Sequence, residues 1–155
     1  MNYFIDIQQV CEDEPPVDDE VIAQWIELTL AKHKNAGELT LRIVSPDEMT
    51  HLNSTYRKQN KVTNVLAFPS NLPKDIQLDV PLLGDVIICP SVLQAESESL
   101  NKPLQAHWAH IVIHGVLHLL GFDHVRDEDA PIMQAQEINI LEELGFCNPY
   151  KEEQL

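Results

Sequence analysis

Positive charge is scarce in this chain. Lysine and arginine number 10 against 25 aspartates and glutamates, a formal net charge of −15 over 155 residues. That balance excludes broad, non-specific attraction to nucleic acid or to an anionic membrane, while leaving room for a local basic groove. Cysteine is sparse too. Cys11, Cys89 and Cys147 are odd in number and far apart, so they supply neither a disulfide framework nor a zinc ribbon, and a reducing cytoplasm is the expected home. No apolar run is long enough to cross a bilayer; Ile111 to Leu120 is interrupted by two histidines. The opening Met1-Asn2-Tyr3-Phe4-Ile5-Asp6 has no basic region and no long apolar stretch, so no secretory leader is expected. Internal repeats and low-complexity blocks are missing as well. What is present is an ordinary hydrophobic content of 44%, enough for one domain spanning 1–155 with its own core.

Periodicity sets out the elements. Tyr3, Ile5 and Ile7 alternate with polar residues, which predicts a strand over 2–8. After an acidic, proline-containing loop, Asp18 caps a helix to about Lys34, with Val21, Ile22, Trp25, Ile26 and Thr29 on one face. Asn35-Ala36-Gly37 ends it, and Leu39, Leu41 and Ile43 mark a second strand over 38–44. Ser45-Pro46-Asp47-Glu48 is a helix start, with serine at the N-cap, proline at the first helical position and glutamate at the third. That helix should reach about Arg57. Residues 62–68 read as a third strand, and three prolines make 69–81 a loop. A fourth strand covers 82–89. Helices follow from Pro90 to about Leu100, from Pro103 to about Leu120, and from about Asp129 to Gly145. The second of these is apolar nearly all round and should be buried at the centre. Its successor should turn Ile138, Leu141 and Leu144 inward, and the tail after about 149 should be loose. The sum is an α+β domain: a small mixed β-sheet of about four strands, with the central helix packed across one face.

That helix carries the most informative segment, His114-Gly115-Val116-Leu117-His118-Leu119-Leu120-Gly121-Phe122-Asp123-His124. Residues four apart on an α-helix sit one turn apart on the same face, so His114 and His118 can aim at one ion. His124 could join them only if the helix stopped first. Gly121 is placed to stop it, because glycine takes the left-handed C′ conformation without steric cost. Three neutral imidazoles suit zinc and leave a fourth position open, the arrangement of a catalytic rather than a structural site. The glutamate that follows the first histidine in metzincin proteases, where it is the general base, is missing; that position is Gly115, which leaves room for a substrate backbone or a water near the ion.

His114-Gly115-Val116-Leu117-His118-Leu119-Leu120-Gly121-Phe122-Asp123-His124 resembles the signature of the YbeY-type rRNA maturation factors, single-strand-specific, metal-dependent endoribonucleases of bacteria. A second block supports the likeness: Asn53-Ser54-Thr55-Tyr56-Arg57, then Thr63-Asn64-Val65-Leu66-Ala67-Phe68-Pro69, then Gly84-Asp85. The family usually has serine where this chain has Ala67, so a hydroxyl role there is absent. The resemblance covers nearly the whole chain. It implies one zinc ion at His114, His118 and His124, an Arg57 that matters for activity, and single-stranded ribosomal RNA as substrate. It further implies the small ribosomal subunit or its proteins as partner, and a role in ribosome maturation; neither DNA nor a membrane enters.

Other residues carry two readings each. Arg57 is either a guanidinium that grips a phosphate in two places or a cation favourable at a helix C-terminus; the surrounding family block favours the first. Lys58 and Lys61 read as solvated charges with a share in holding an RNA backbone. Asp123 either orients a histidine or stabilises the turn after Gly121. Asp85 is a turn residue or a site carboxylate. His107 and His110 share the face of His114 but lie too far along the axis to ligate with it, and belong to the core or behind the ligands. His33 and His51 belong on the surface, and Met133 in the core. Two rivals stand beside the nuclease: a non-enzymatic metal-binding ribosome assembly factor, and a metallopeptidase that recruits its base from elsewhere.

Overall fold

The computed structural model describes residues 2–70, 80–123 and 128–150. Four strands and five α-helices alternate along it: β1 (Asn2–Gln9), α1 (Asp19–Ala31), β2 (Ala36–Ile43), α2 (Pro46–Arg57), β3 (Val65–Pro69), β4 (Leu82–Ile88), α3 (Pro90–Leu100), α4 (Leu104–Leu119) and α5 (Ala130–Glu143). The strands form one mixed sheet in the order β1-β2-β4-β3. β1 and β4 run parallel to β2, and β3 closes one edge antiparallel to β4. The expected α+β class, strand number and helix-on-sheet arrangement are all present. Among the described residues, no helix is long and apolar enough to cross a membrane.

The sheet divides the apolar side chains into two layers. On one face α1 lies against β1 and β2 and α4 against β3 and β4, with α3 and α5 flanking α4; Trp25, Ile26, Leu41, Val86, Trp108 and Val112 are all buried there. On the other face α2 closes a smaller cluster of Val44, Met49, Leu66, Ile87 and Cys89. Alternation in β3 and β4 makes this division possible, since successive side chains leave a strand on opposite faces. Helix α4 is the hub. Ten of its residues are buried, on several sides of the axis, as its nearly uniform apolarity predicts.

Local signals hold at most boundaries. Ser45 Oγ accepts from the Glu48 amide at 3.3 Å, and Pro46 opens α2. Three boundaries move. α1 ends at Ala31 rather than near Lys34, because His33 and Lys34 turn their amides back to the Leu30 carbonyl. Asn35-Ala36-Gly37, expected to be only a helix stop, already opens β2, since Ala36 and Gly37 pair with Asn2 and Tyr3 of β1. Sheet pairing recruits residues that local propensity assigns to a turn. β3 likewise starts at Val65 rather than at 62. Most of the expected loop after Pro69, residues 71–79, lies outside the described residues.

Gly84 marks the tightest point of the sheet. Leu39 pairs with Gly84 while Glu38 pairs with Leu82, so β4 bulges by one residue here. Gly84 has φ +136°, and a Cβ on it would come within 2.1 Å of the Phe68 carbonyl oxygen. Both the conformation and the space demand glycine. Asp85, expected at a turn or in the site, therefore sits inside β4, exposed and opposite Phe68. Gly84→Ala should destabilise the protein by about 2–4 kcal/mol, from backbone strain and overpacking together, measured by urea unfolding against the parent chain.

Candidate metal centre

Helix α4 presents four histidines along one side, at 107, 110, 114 and 118. The last two meet. His114 Nε2 and His118 Nε2 are 3.1 Å apart, with the rings nearly perpendicular at 80°. Two nitrogens bound to one zinc at 2.0–2.1 Å in tetrahedral geometry stand roughly 3.3 Å apart, so the pair already has the spacing of two ligands on a shared ion. One-turn spacing on a rigid buried helix produces this directly.

The helix then stops where the sequence says it should. Leu120 caps it, Gly121 follows with φ +101°, and the Phe122 amide donates to Leu117 O while the Gly121 amide donates to His118 O. These two bonds are the Schellman pattern. The chain turns out of the helix at Gly121 and reaches an exposed Asp123. His124, the third expected ligand, lies outside the described residues. Among the described residues no group of three His, Cys, Asp or Glu side chains gathers as a metal site. What the described residues show is the close His114–His118 pair and the glycine turn that follows it.

Behind His114 stands a carboxylate the sequence reading did not single out. Glu137 of α5 is fully buried. His110 Nε2 lies 3.2 Å from its Oε2, His114 Nδ1 lies 3.4 Å from both oxygens, and the Tyr150 hydroxyl donates to it at 2.5 and 2.9 Å. Burial alone would push this carboxyl up; the hydrogen bonds from His110, His114 and Tyr150 outweigh it and hold the group down at about 2. Burial and the adjoining carboxylate push the Tyr150 hydroxyl well above its usual range. His114, Met133, Gln134, Glu137 and Tyr150 line a common cleft of about 340 Å³. Met133 is buried, as a core residue should be, and borders the site too. The missed signal was a glutamate in an apolar stripe: Met133, Glu137, Ile140 and Leu141 are the buried residues of α5, whereas Ile138 and Leu144, expected inward, are half-buried.

The first histidine of the row has its own acid. His107 is buried, with Nε2 2.9 Å from Glu96 Oε1 of α3, and Asn64 Nδ2 donates to the same carboxylate at 3.2 Å. Burial holds the His107 pKa below its usual value, against the opposing pull of Glu96. Nδ1 of both His107 and His110 is buried without a hydrogen-bond partner among the described residues. A proton on Nε2 of each ring, donated to the neighbouring carboxylate, accounts for both observations. The expectation that these two sit in the core or behind the ligands is met. His33 and His51 are exposed.

Arg57 lies on another element. It is the last residue of α2; its Nη2 donates to the Ala67 carbonyl at 2.7 Å, and its guanidinium lies 5.2 Å from the centre of the Phe68 ring. Its described contacts are with β3, not with the histidines. The same strand connects the two, because Val65 of β3 packs on Gly115 of α4. A Cβ at Gly115 would stand 2.7 Å from Val86 Cγ1 and 3.3 Å from Val65 Cγ2. Gly115 thus faces the sheet and lets α4 sit close to it, rather than opening room beside an ion. Asn53, buried, closes the segment after α2 by donating from Nδ2 to Lys61 O at 2.9 Å. Lys58 and Lys61 are exposed.

Comparison with known proteins agrees with this layout. A family model described as endoribonuclease YbeY matches residues 7–145. Curated relatives named endoribonuclease YbeY, from Legionella pneumophila strains Corby and Paris, are each 56% identical over 154 residues, covering 99% of this chain and 98% of their own. A solution structure of a Thermotoga maritima protein has the same fold, with a TM-score of 0.62 at 24% identity over 96% of this chain and 100% of that one. Fold and family together define a hydrolase of the endoribonuclease class. The chain belongs to the endoribonuclease YbeY family.

Two outcomes are expected. Gly115→Glu, which would supply the residue of the protease pattern, should cost at least about 3 kcal/mol by driving a charged side chain into Val86, and should yield no peptide cleavage on a denatured protein substrate. His107 should make the fold acid-sensitive. The unfolded chain binds a proton at this histidine near pH 6.5, while the folded chain resists it to lower pH. Stability therefore falls as pH drops below about 6.5. In chemical denaturation of the metal-free protein, His107→Gln should lose less stability than the parent between neutral and mildly acidic pH.

Proposed function

We propose that this protein is a zinc-dependent, single-strand-specific endoribonuclease of the cytoplasm. Its proposed substrate is ribosomal RNA, delivered by the small ribosomal subunit or its proteins during ribosome maturation. The observation that carries the reading is the approach of His114 Nε2 and His118 Nε2 to 3.1 Å on one buried helix. His124, following the Gly121 turn, would be the third ligand. Three neutral imidazoles with a vacancy suit zinc, and the bound ion would supply Lewis acidity and a water of lowered pKa.

The chain's own residues do the rest. Arg57 has five N–H donors, one of them held by Ala67 O. The others can grip a phosphate and neutralise charge that develops on it during cleavage. The Phe68 ring, 5.2 Å away, attracts the guanidinium as a cation–π partner. Tyr56, 63% exposed and edge-on to Phe68 at 5.3 Å, offers an aromatic face to an unpaired base, which duplex RNA does not present. A net charge of −15 repels a polyanion, so affinity rests on a few such contacts and weakens with salt. Delivery by a ribosomal partner follows from that weakness. A peptidase would have to hold its base away from Gly115, where the backbone faces Val86.

Chelation should abolish cleavage of a single-stranded RNA, and stoichiometric zinc should restore it, with a duplex control resisting. His114→Ala and His118→Ala should lose both the metal and the activity. Arg57→Ala should keep its zinc and lose roughly 10²–10³-fold in rate. Full cleavage by metal-free His114→Ala overturns the reading. Ribosome binding untouched by ligand mutation, with no turnover on any RNA, would leave a metal-binding assembly factor in its place.

A further inference from the structure

Glu137 poses a question that packing does not answer. A fully buried carboxylate is costly, and its neighbours on α5, Met133, Ile140 and Leu141, show that an apolar side chain would fill the position. Among the described residues it is kept company by three polar groups and by no lysine or arginine: His110 Nε2, His114 Nδ1 and the Tyr150 hydroxyl. A carboxylate only accepts, so each of these three donates to it. For His114 the consequence is decisive. A proton held on Nδ1 leaves the lone pair on Nε2, the atom that faces His118. The approach from His114 is long, 3.4 Å to each oxygen; the short bonds come from Tyr150, which fixes where the carboxylate sits. Tyr150 is anchored in turn, since Lys102 Nζ donates to the Pro149 carbonyl at 2.5 Å.

We infer that Glu137, locked by Tyr150, is a positioning residue that selects the Nδ1–H tautomer of His114 and so presets its Nε2 to bind a divalent cation. This rests on the reading of His114 and His118 as metal ligands. The carboxylate behind the ring also strengthens the nitrogen in front as a donor. Tyr150, at the start of the segment expected to be loose, then belongs to the site's supporting structure.

The full chain, stripped of metal and titrated with zinc against a chromophoric chelator, tests this without reference to activity. Glu137→Gln keeps size and shape but offers an amide in place of the anion. It should bind zinc roughly 10–100-fold more weakly than the parent, with an unchanged circular dichroism spectrum. Tyr150→Phe, which removes the hydroxyl alone, should lose a smaller factor, roughly 3–10-fold. Cobalt(II) bound to either variant should show a visible spectrum shifted from that of the parent. Parental zinc affinity in a folded Glu137→Gln overturns the inference, and if that variant does not fold, parental affinity in Tyr150→Phe overturns it. His114→Ala separates the two levels. Should the parent bind no zinc, or His114→Ala bind as well as the parent, the metal reading itself fails, and the inference with it. Should His114→Ala lose the ion while both support variants keep it, only the inference fails.

Discussion

On a helix with protein on nearly every side, each buried polar group is costly unless a partner answers it. Helix α4 packs against α1, α3, α5, β3 and β4, yet it carries four imidazoles. A buried donor or acceptor without a partner costs about 1–3 kcal/mol, so this row would be the weakest line in the core if its neighbours were all apolar. They are not. α3 brings Glu96 to His107, and α5 brings Glu137 to His110 and His114. The flanking helices do more than cover α4: each carries the acid that its stretch of the histidine row requires. Only at the C-terminal end do two imidazoles turn their Nε2 atoms toward one another. That is where the proposed cation would sit.

Helix-to-sheet distance is the second constraint. Gly115 lets α4 rest on Val86 and Val65, which sets the depth at which His114 and His118 emerge. β3 links this packing to Arg57, two residues farther along, at Ala67. The contact uses the backbone carbonyl of Ala67 and not its side chain, so no hydroxyl is needed at this position to place the guanidinium. The two clusters that sequence comparison treats as separate blocks are thus joined through one short strand.

Much of this was legible beforehand because the signals were local or periodic. The serine–proline start of α2, the Gly121 stop and the central position of α4 each follow from chemistry within a few residues, and each is found. The two-histidine geometry is a property of helix pitch. What was not legible depended on partners far along the chain. Ala36 and Gly37 join β2 because β1 pairs with them, and the bulge between Leu82 and Gly84 exists only because β4 pairs with β2. Gly115 reads in isolation as space for a ligand; only the position of Val86 shows it to be a packing contact. Glu137 is 23 residues from His114. Its one local trace was an acid among apolar residues on the inner side of α5, and Tyr150 left no trace at all. His124 lies outside the described residues.

The hydrogen bond between Arg57 and β3 also bears on how the molecule avoids its own kind. β3 is an edge strand, and edges recruit strands from other chains. Asn64 and Ser70 bond across to β4; by the alternation of an antiparallel ladder, Val65, Ala67 and Pro69 turn their backbone groups outward. Pro69 has no amide to give. The Ala67 carbonyl is already occupied by the guanidinium. An incoming strand would find two of its docking points disabled, so Arg57, whatever else it binds, also guards the open side of the sheet against self-association.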